Sequence, residues 1–180
     1  MFHSFTLQRL RSTLTGMALA AAIATPLGGL LPATLAVHAE GSFAPLDATV
    51  SQEMRVIELV NADRAAHGLL ALEFDPSLAS VARWRSEDMA ARSYFSHDIG
   101  GYQVFQVLRD QGVDYRVAGE NLAYNYFAPE ETALRAEKSL MESPTHRANI
   151  LRADYTHVGV GVAVSPDGRY LFTQLFKKAW

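Results

Sequence analysis

After Tyr155 the hydrophobic period of this chain is two. Val158, Val160, Val162 and Val164 alternate with glycine and alanine; Ser165-Pro166-Asp167-Gly168 follows; then Tyr170, Phe172, Gln174 and Phe176 alternate again. Two alternating runs joined by residues that tolerate a tight bend predict a β-hairpin at the C-terminus. Its valines and aromatics need cover, and the rest of the chain has to supply it.

Upstream the period is helical. Met54, Ile57, Val60 and Arg64 recur at helix spacing from Ser51, and the helix is expected to stop near Gly68. Asp75-Pro76 is a cap followed by a first-turn proline, opening a second helix whose apolar content is Leu78, Val81, Ala82, Trp84 and Met89. Gly100-Gly101 breaks the chain before a short helix with Val104, Phe105 and Leu108, which ends before Gly112. Residues 119–125 read as extended. Pro129-Glu130-Glu131 opens a further helix, with acids suited to its dipole, and Ser143-Pro144 opens a short one. Trp84, Tyr124, Tyr126 and Phe127 are expected in the core. Helices, a strand, more helix and a closing hairpin predict an α+β fold, an α-β-α sandwich with a small antiparallel sheet between helices.

Composition narrows the setting. The 180 residues are 49% hydrophobic and 19% charged, which supports a packed core. Residues 1–39 hold Arg9 and Arg11 and no acid, and residues 13–37 form an apolar run that ends in Val37-His38-Ala39 before Glu40. This is the pattern of a cleaved secretion signal. A retained membrane anchor is the rival, disfavoured by Pro26, Gly28, Gly29 and Pro32 within the run. Residues 40–50 read as a linker and residues 51–178 as one domain. The part after residue 39 carries 14 basic and 19 acidic side chains, a poor match to nucleic acid or an anionic membrane. The absence of cysteine excludes disulfides, cysteine-ligated metals and a lipidated N-terminal cysteine. The expected location is outside the cytoplasm: extracellular, periplasmic or associated with the cell envelope.

Four histidines lie in the domain: His67, His97, His146 and His157. His97 follows Tyr94-Phe95-Ser96 where the second helix gives way to loop. His146 sits one turn into the helix opened by Ser143-Pro144, where the helix dipole favours neutral imidazole. Glu120 stands on an otherwise apolar strand beside Gly119, so it is expected to be buried and to need a partner. Two imidazoles and a carboxylate suit zinc or another divalent cation, with His97 and His146 as ligands. A structural hydrogen-bonded cluster is the competing reading. His67 reads as a helix-end residue, His157 as a strand-end residue, Asn61 and Arg64 as structural groups and Ser143 as an N-cap. No nucleophile elbow, P-loop or dinucleotide fingerprint is present.

Several segments occur in a familiar order: Asn61-Ala-Asp-Arg64, Tyr94-Phe95-Ser96-His97, Gly119-Glu120-Asn121, Ser143-Pro144-Thr145-His146-Arg147-Ala-Asn149-Ile150-Leu151, Val158-Gly159-Val160-Gly161 and Phe172-Thr173-Gln174-Leu175-Phe176. In this the chain resembles the CAP superfamily of SCP-like extracellular domains, in its bacterial secreted branch. The resemblance implies an α-β-α sandwich and a cleft that usually holds two histidines and two acids, with zinc or another divalent ion in some members. His97 and Glu120 match the first histidine and first acid, and His146 matches the histidine of the bacterial SPxHR segment. Leu140 stands where tryptophan is usual, Ser143 where the second acid is expected, and Phe172 where the terminal histidine is expected. The resemblance therefore implies a reduced site, with Glu137 and Glu142 as the nearby carboxylates.

Three functions follow, in order. The first is a secreted domain that binds a small apolar molecule or cell-envelope component at His97, Glu120 and His146 without turnover. The second is a metal-dependent hydrolase in which His97 and His146 hold the ion and Glu120 acts as base. The third is a structural or partner-binding extracellular protein.

Overall fold

A computed structural model describes residues 48–180. The expected secretion signal and most of the expected linker lie outside the described residues. The elements run α1 (Ala48–Ala66), β1 (Glu73–Phe74), α2 (Pro76–Arg92), α3 (Val104–Asp110), β2 (Val117–Asn125), α4 (Pro129–Glu142), α5 (Pro144–Ile150), β3 (His157–Val164) and β4 (Tyr170–Lys178). The fold is the α-β-α sandwich expected. Helix α1 begins three residues before Ser51, at a point with no cap-and-proline signal. It ends at Ala66, and the turn after it closes on Gly68, whose φ of +70° is the left-handed conformation that glycine adopts freely.

The sheet order is β1-β3-β4-β2. Strands β3 and β4 form the expected hairpin, and β2 pairs antiparallel with β4, placing Asn121 opposite Gln174. One edge departs from the expected antiparallel sheet: β1 runs parallel to β3, pairing Glu73 with His157 and Phe74 with Val158. This strand is where the chain passing from α1 to α2 lies along β3, and two residues carry no readable period.

Alternation divides the sheet residues between two layers. Val158, Val160 and Val162 of β3 join Phe172 and Phe176 of β4 in a core with α1, α4 and α5. Leu175 packs with α2 and α3, and Leu122, Ala163 and Leu171 pack with the end of α2. The intervening Gly159 and Gly161 face α2 directly. A Cβ on Gly161 would lie 2.0 Å from the Arg83 amide nitrogen, and one on Gly159 would lie 2.3 Å from that of Ala79. Helix α2 therefore rests on the strand backbone itself.

The aromatic residues expected in the core are at the surface. Trp84, Tyr124, Tyr126 and Phe127 are 38–60% exposed. Trp84 lies one residue off the buried stripe of α2, whose core position is taken by Arg85. Tyr126 and Phe127 follow the last residue of β2, and the Tyr124 ring meets Phe95 edge-on at 4.9 Å. Among the described residues no helix is long and apolar enough to cross a membrane.

Candidate functional site

Three segments meet at one edge of the sheet: the end of α2 with the loop after it, the edge strand β2, and α5. Helix α2 ends in Ser93, which is left-handed at φ 55°. The reversal turns residues 94–97 back along the helix. Arg85, fully buried, holds them there. Its Nη1 donates to the Tyr94 hydroxyl at 2.6 Å, and its Nη2 donates to the Ser96 carbonyl.

The same arginine is the partner that Glu120 needs. Arg85 Nε stands 3.3 Å from Glu120 Oε1, an ion pair without an aligned hydrogen bond. The other carboxylate oxygen accepts a hydrogen bond from His97 Nδ1 at 2.6 Å. An ionised carboxylate has no proton to give, so His97 carries its proton on Nδ1 and presents Nε2. The Glu120 side chain is 3% exposed and that of His97 50% exposed, so a buried charge pair ends in an accessible imidazole. Arg85 was not among the residues singled out from sequence. Its signal is there, in a basic residue that falls in register with Leu78, Val81, Ala82 and Met89 on the buried face of α2.

His146 approaches from α5. Its Nδ1 lies 2.9 Å from Ser143 Oγ. Ser143 occupies the N-cap position as expected, with extended backbone, but its hydroxyl makes no cap bond and serves the imidazole instead. Burial, and then repulsion from His97, hold His146 below the usual histidine range. The neutral ring expected at this position thus has two causes beyond the helix dipole.

Asn121 ties the segments together. Its Nδ2 donates to the His146 carbonyl at 3.1 Å and to Gln174 Oε1 at 3.0 Å, and its Oδ1 accepts from Asn149 Nδ2 at 2.9 Å. Gln174 Nε2 donates in turn to Glu137 Oε2 at 2.5 Å. Glu137 therefore stands at the far end of a buried chain and does not join the imidazoles. Glu142 lies 3.8 Å from Lys138 on the α4 surface. Gly119 has the close approach expected of it: a Cβ there would fall 2.3 Å from the Tyr155 hydroxyl.

The remaining polar residues behave as structural groups. Asn61 bonds both backbone groups of Leu72, and Arg64 bonds the carbonyls of Leu70, Ile150 and Arg152. His67 Nδ1 meets the Asp63 carbonyl at 2.7 Å, and His157 Nδ1 lies 2.7 Å from Thr156 Oγ1 at the start of β3.

The donor set does not fit a resident zinc or other divalent ion. His97 and His146 have their Nε2 atoms unengaged, while Glu120 is held between Arg85 and His97. A zinc centre takes three or four protein ligands, and among the described residues no group of three or more histidine or acidic side chains is arranged to hold a metal. A relay of nucleophile, base and orienting carboxylate is not assembled either: Ser143 touches His146, but the carboxylate orients the other histidine. Two pockets are described, one of about 580 Å³ between α2 and α3 and one of about 380 Å³ between α1 and α4. His97, Glu120 and His146 line neither.

Residues 57–176 match the family described as CAP, the cysteine-rich secretory protein family. The chain is a CAP-family protein. This CAP chain is 39% identical over 125 residues to the uncharacterized protein YkwD of Bacillus subtilis, covering 69% of its own length and 46% of that protein. It thus spans less than half of that curated relative. Among crystal structures it resembles an extracellular protein with an SCP domain from Bacillus anthracis, at 30% identity and a TM-score of 0.62, covering 72% of this chain and 41% of that one. An outer surface protein of Borrelia burgdorferi shares the fold, at 19% identity and a TM-score of 0.66, covering 73% of this chain and 96% of that one. The CAP-family assignment and the sandwich bear out the resemblance read from the ordered motifs.

Proposed function

We propose that this CAP domain works outside the cytoplasm and binds a small apolar or cell-envelope ligand at His97, Glu120 and His146, without turning it over. The observation that carries this reading is the closed pairing of Glu120 with Arg85 and His97. A carboxylate held between a buried guanidinium and an imidazole positions that imidazole for recognition and is not a free base. An apolar surface continues from it. Phe95 lies two residues before His97, its ring meets Tyr124 at 4.9 Å, and Tyr124 meets Tyr126 at 6.4 Å. Exposed rings on the two segments that carry His97 and Glu120 suit a ligand with an apolar body and a polar head. Export follows from the basic-apolar-small pattern of residues 1–39 and from the extracellular relative.

The test is a thermal-shift screen of lipids, sterols and envelope glycans, followed by calorimetry of the hits. A ligand of this face stabilises the wild-type chain, and His97→Ala weakens its binding about tenfold. A chain indifferent to every class, or one in which every hit keeps its affinity in His97→Ala, overturns the reading.

A further inference from the structure

The groove of about 580 Å³ between α2 and α3 lies apart from the His97 face and shares no residue with it. Its size is that of a small-ligand site. On one wall Ser80 and Trp84 stand one turn apart on α2. The other carries Gln106, Asp110 and Gln111 from α3 and its end, with Tyr102 just before that helix. Val81 and Val107 supply the apolar part of the lining.

Two features set this groove apart. Trp84 and Tyr102 hold large rings at the surface, 38% and 39% exposed. The polar side-chain groups of Ser80, Trp84, Tyr102, Gln106, Asp110 and Gln111 form no hydrogen bond or ion pair with another described residue. Their bonding capacity is directed to the groove and to solvent.

We propose that this groove binds a neutral or N-acetylated saccharide. A sugar ring has an apolar C–H face, which stacks on an indole or phenol ring, and a rim of hydroxyls. Planar amides and a carboxylate can each bond such a rim at two points. Lipid chains call for a lining that is apolar throughout. Anionic polymers call for cations, whereas the one ionic side chain in this lining is Asp110. A quaternary ammonium would use the rings and Asp110 but leave both glutamines and Ser80 idle.

The test uses the full chain carrying Trp180→Phe, which leaves Trp84 as its one tryptophan. Titration with N-acetylglucosamine tetramer and with cellotetraose is expected to shift Trp84 emission saturably. By calorimetry, Trp84→Ala abolishes the binding and Gln106→Ala/Gln111→Ala weakens it about tenfold. All three side chains are exposed, so the variants should fold, and an unchanged circular-dichroism melt checks that. The proposal is overturned if neither saccharide binds saturably, if the glutamine variant binds as tightly as its parent, or if choline chloride binds the groove while both saccharides fail.

Discussion

Gly161 has no room for a methyl group. The nearest atoms are backbone of α2, at 2.0 Å from Arg83 N and 2.1 Å from Ala82 C, and a helix backbone cannot swing aside as a side chain can. Gly161→Ala should therefore cost about 3 kcal/mol, the upper end for an overpacked core, measured as a lower denaturant midpoint with unchanged slope. The alternation of valine with glycine was legible as a strand. That the glycines serve as the seat of a helix was not, because the strand pattern says nothing about which element lies above it. Arg85 gives the same lesson. Glu120 announced that it needed a partner, but the partner came from a helix 35 positions upstream and looked like one more basic residue.

Helix α2 shows how far a local signal reaches. Asp75 caps it as the Asp-Pro pair predicted, its Oδ1 accepting from Ser77 N at 2.8 Å and from Leu78 N at 3.0 Å. Its other oxygen lies 2.5 Å from Lys177 Nζ on β4, a contact no local pattern encodes. Burial pushes the Asp75 carboxyl up, but Lys177 and the two amides together pull it below the ordinary carboxylate range. The folded value is thus below the unfolded one. The stabilisation is complete above the unfolded value and is lost as pH falls through the folded value. Asp75→Ala is expected to cost about 1–2 kcal/mol at neutral pH, with the gap to wild type closing on acidification; urea melts across pH 2–7 check this. Ser143 marks the limit of such signals, since the Ser-Pro pair located the start of α5 while the hydroxyl went to His146.

Across the whole molecule the polar side chains form a chain through the sandwich, from Glu137 through Gln174 and Asn121 to the carbonyl of His146. Burial raises the Glu137 carboxyl from 4.5 to about 8, against the Gln174 bond and with a contribution from Asp63. Between these values the native state holds a proton that the unfolded chain releases. Stability should therefore fall as pH rises from about 4.5 to about 8, then level off for this group. Glu137→Gln keeps an acceptor for Gln174 and has nothing to ionise. It is expected to flatten the melting temperature over that window and to exceed wild type by roughly 5 °C at pH 9, read by calorimetry. A wild-type profile as flat as that of the variant would show that Glu137 ionises freely in the fold.

The sequence by itself determined the order of the helices and of β2, β3 and β4, the cap of α2, the start of α5, the C-terminal hairpin and the candidate trio of His97, Glu120 and His146. The elements are written in periods and caps within a few residues, and the trio in residue types and short motifs. Tertiary structure decided which trio members touch, since the contacts depend on the turn at Ser93 and on Arg85 crossing to β2. It also decided that Trp84, Tyr124, Tyr126 and Phe127 face outward. Hydrophobicity says that a ring favours burial, and only the packing of α2 on β3 and the end of β2 settles which rings the core has space to take.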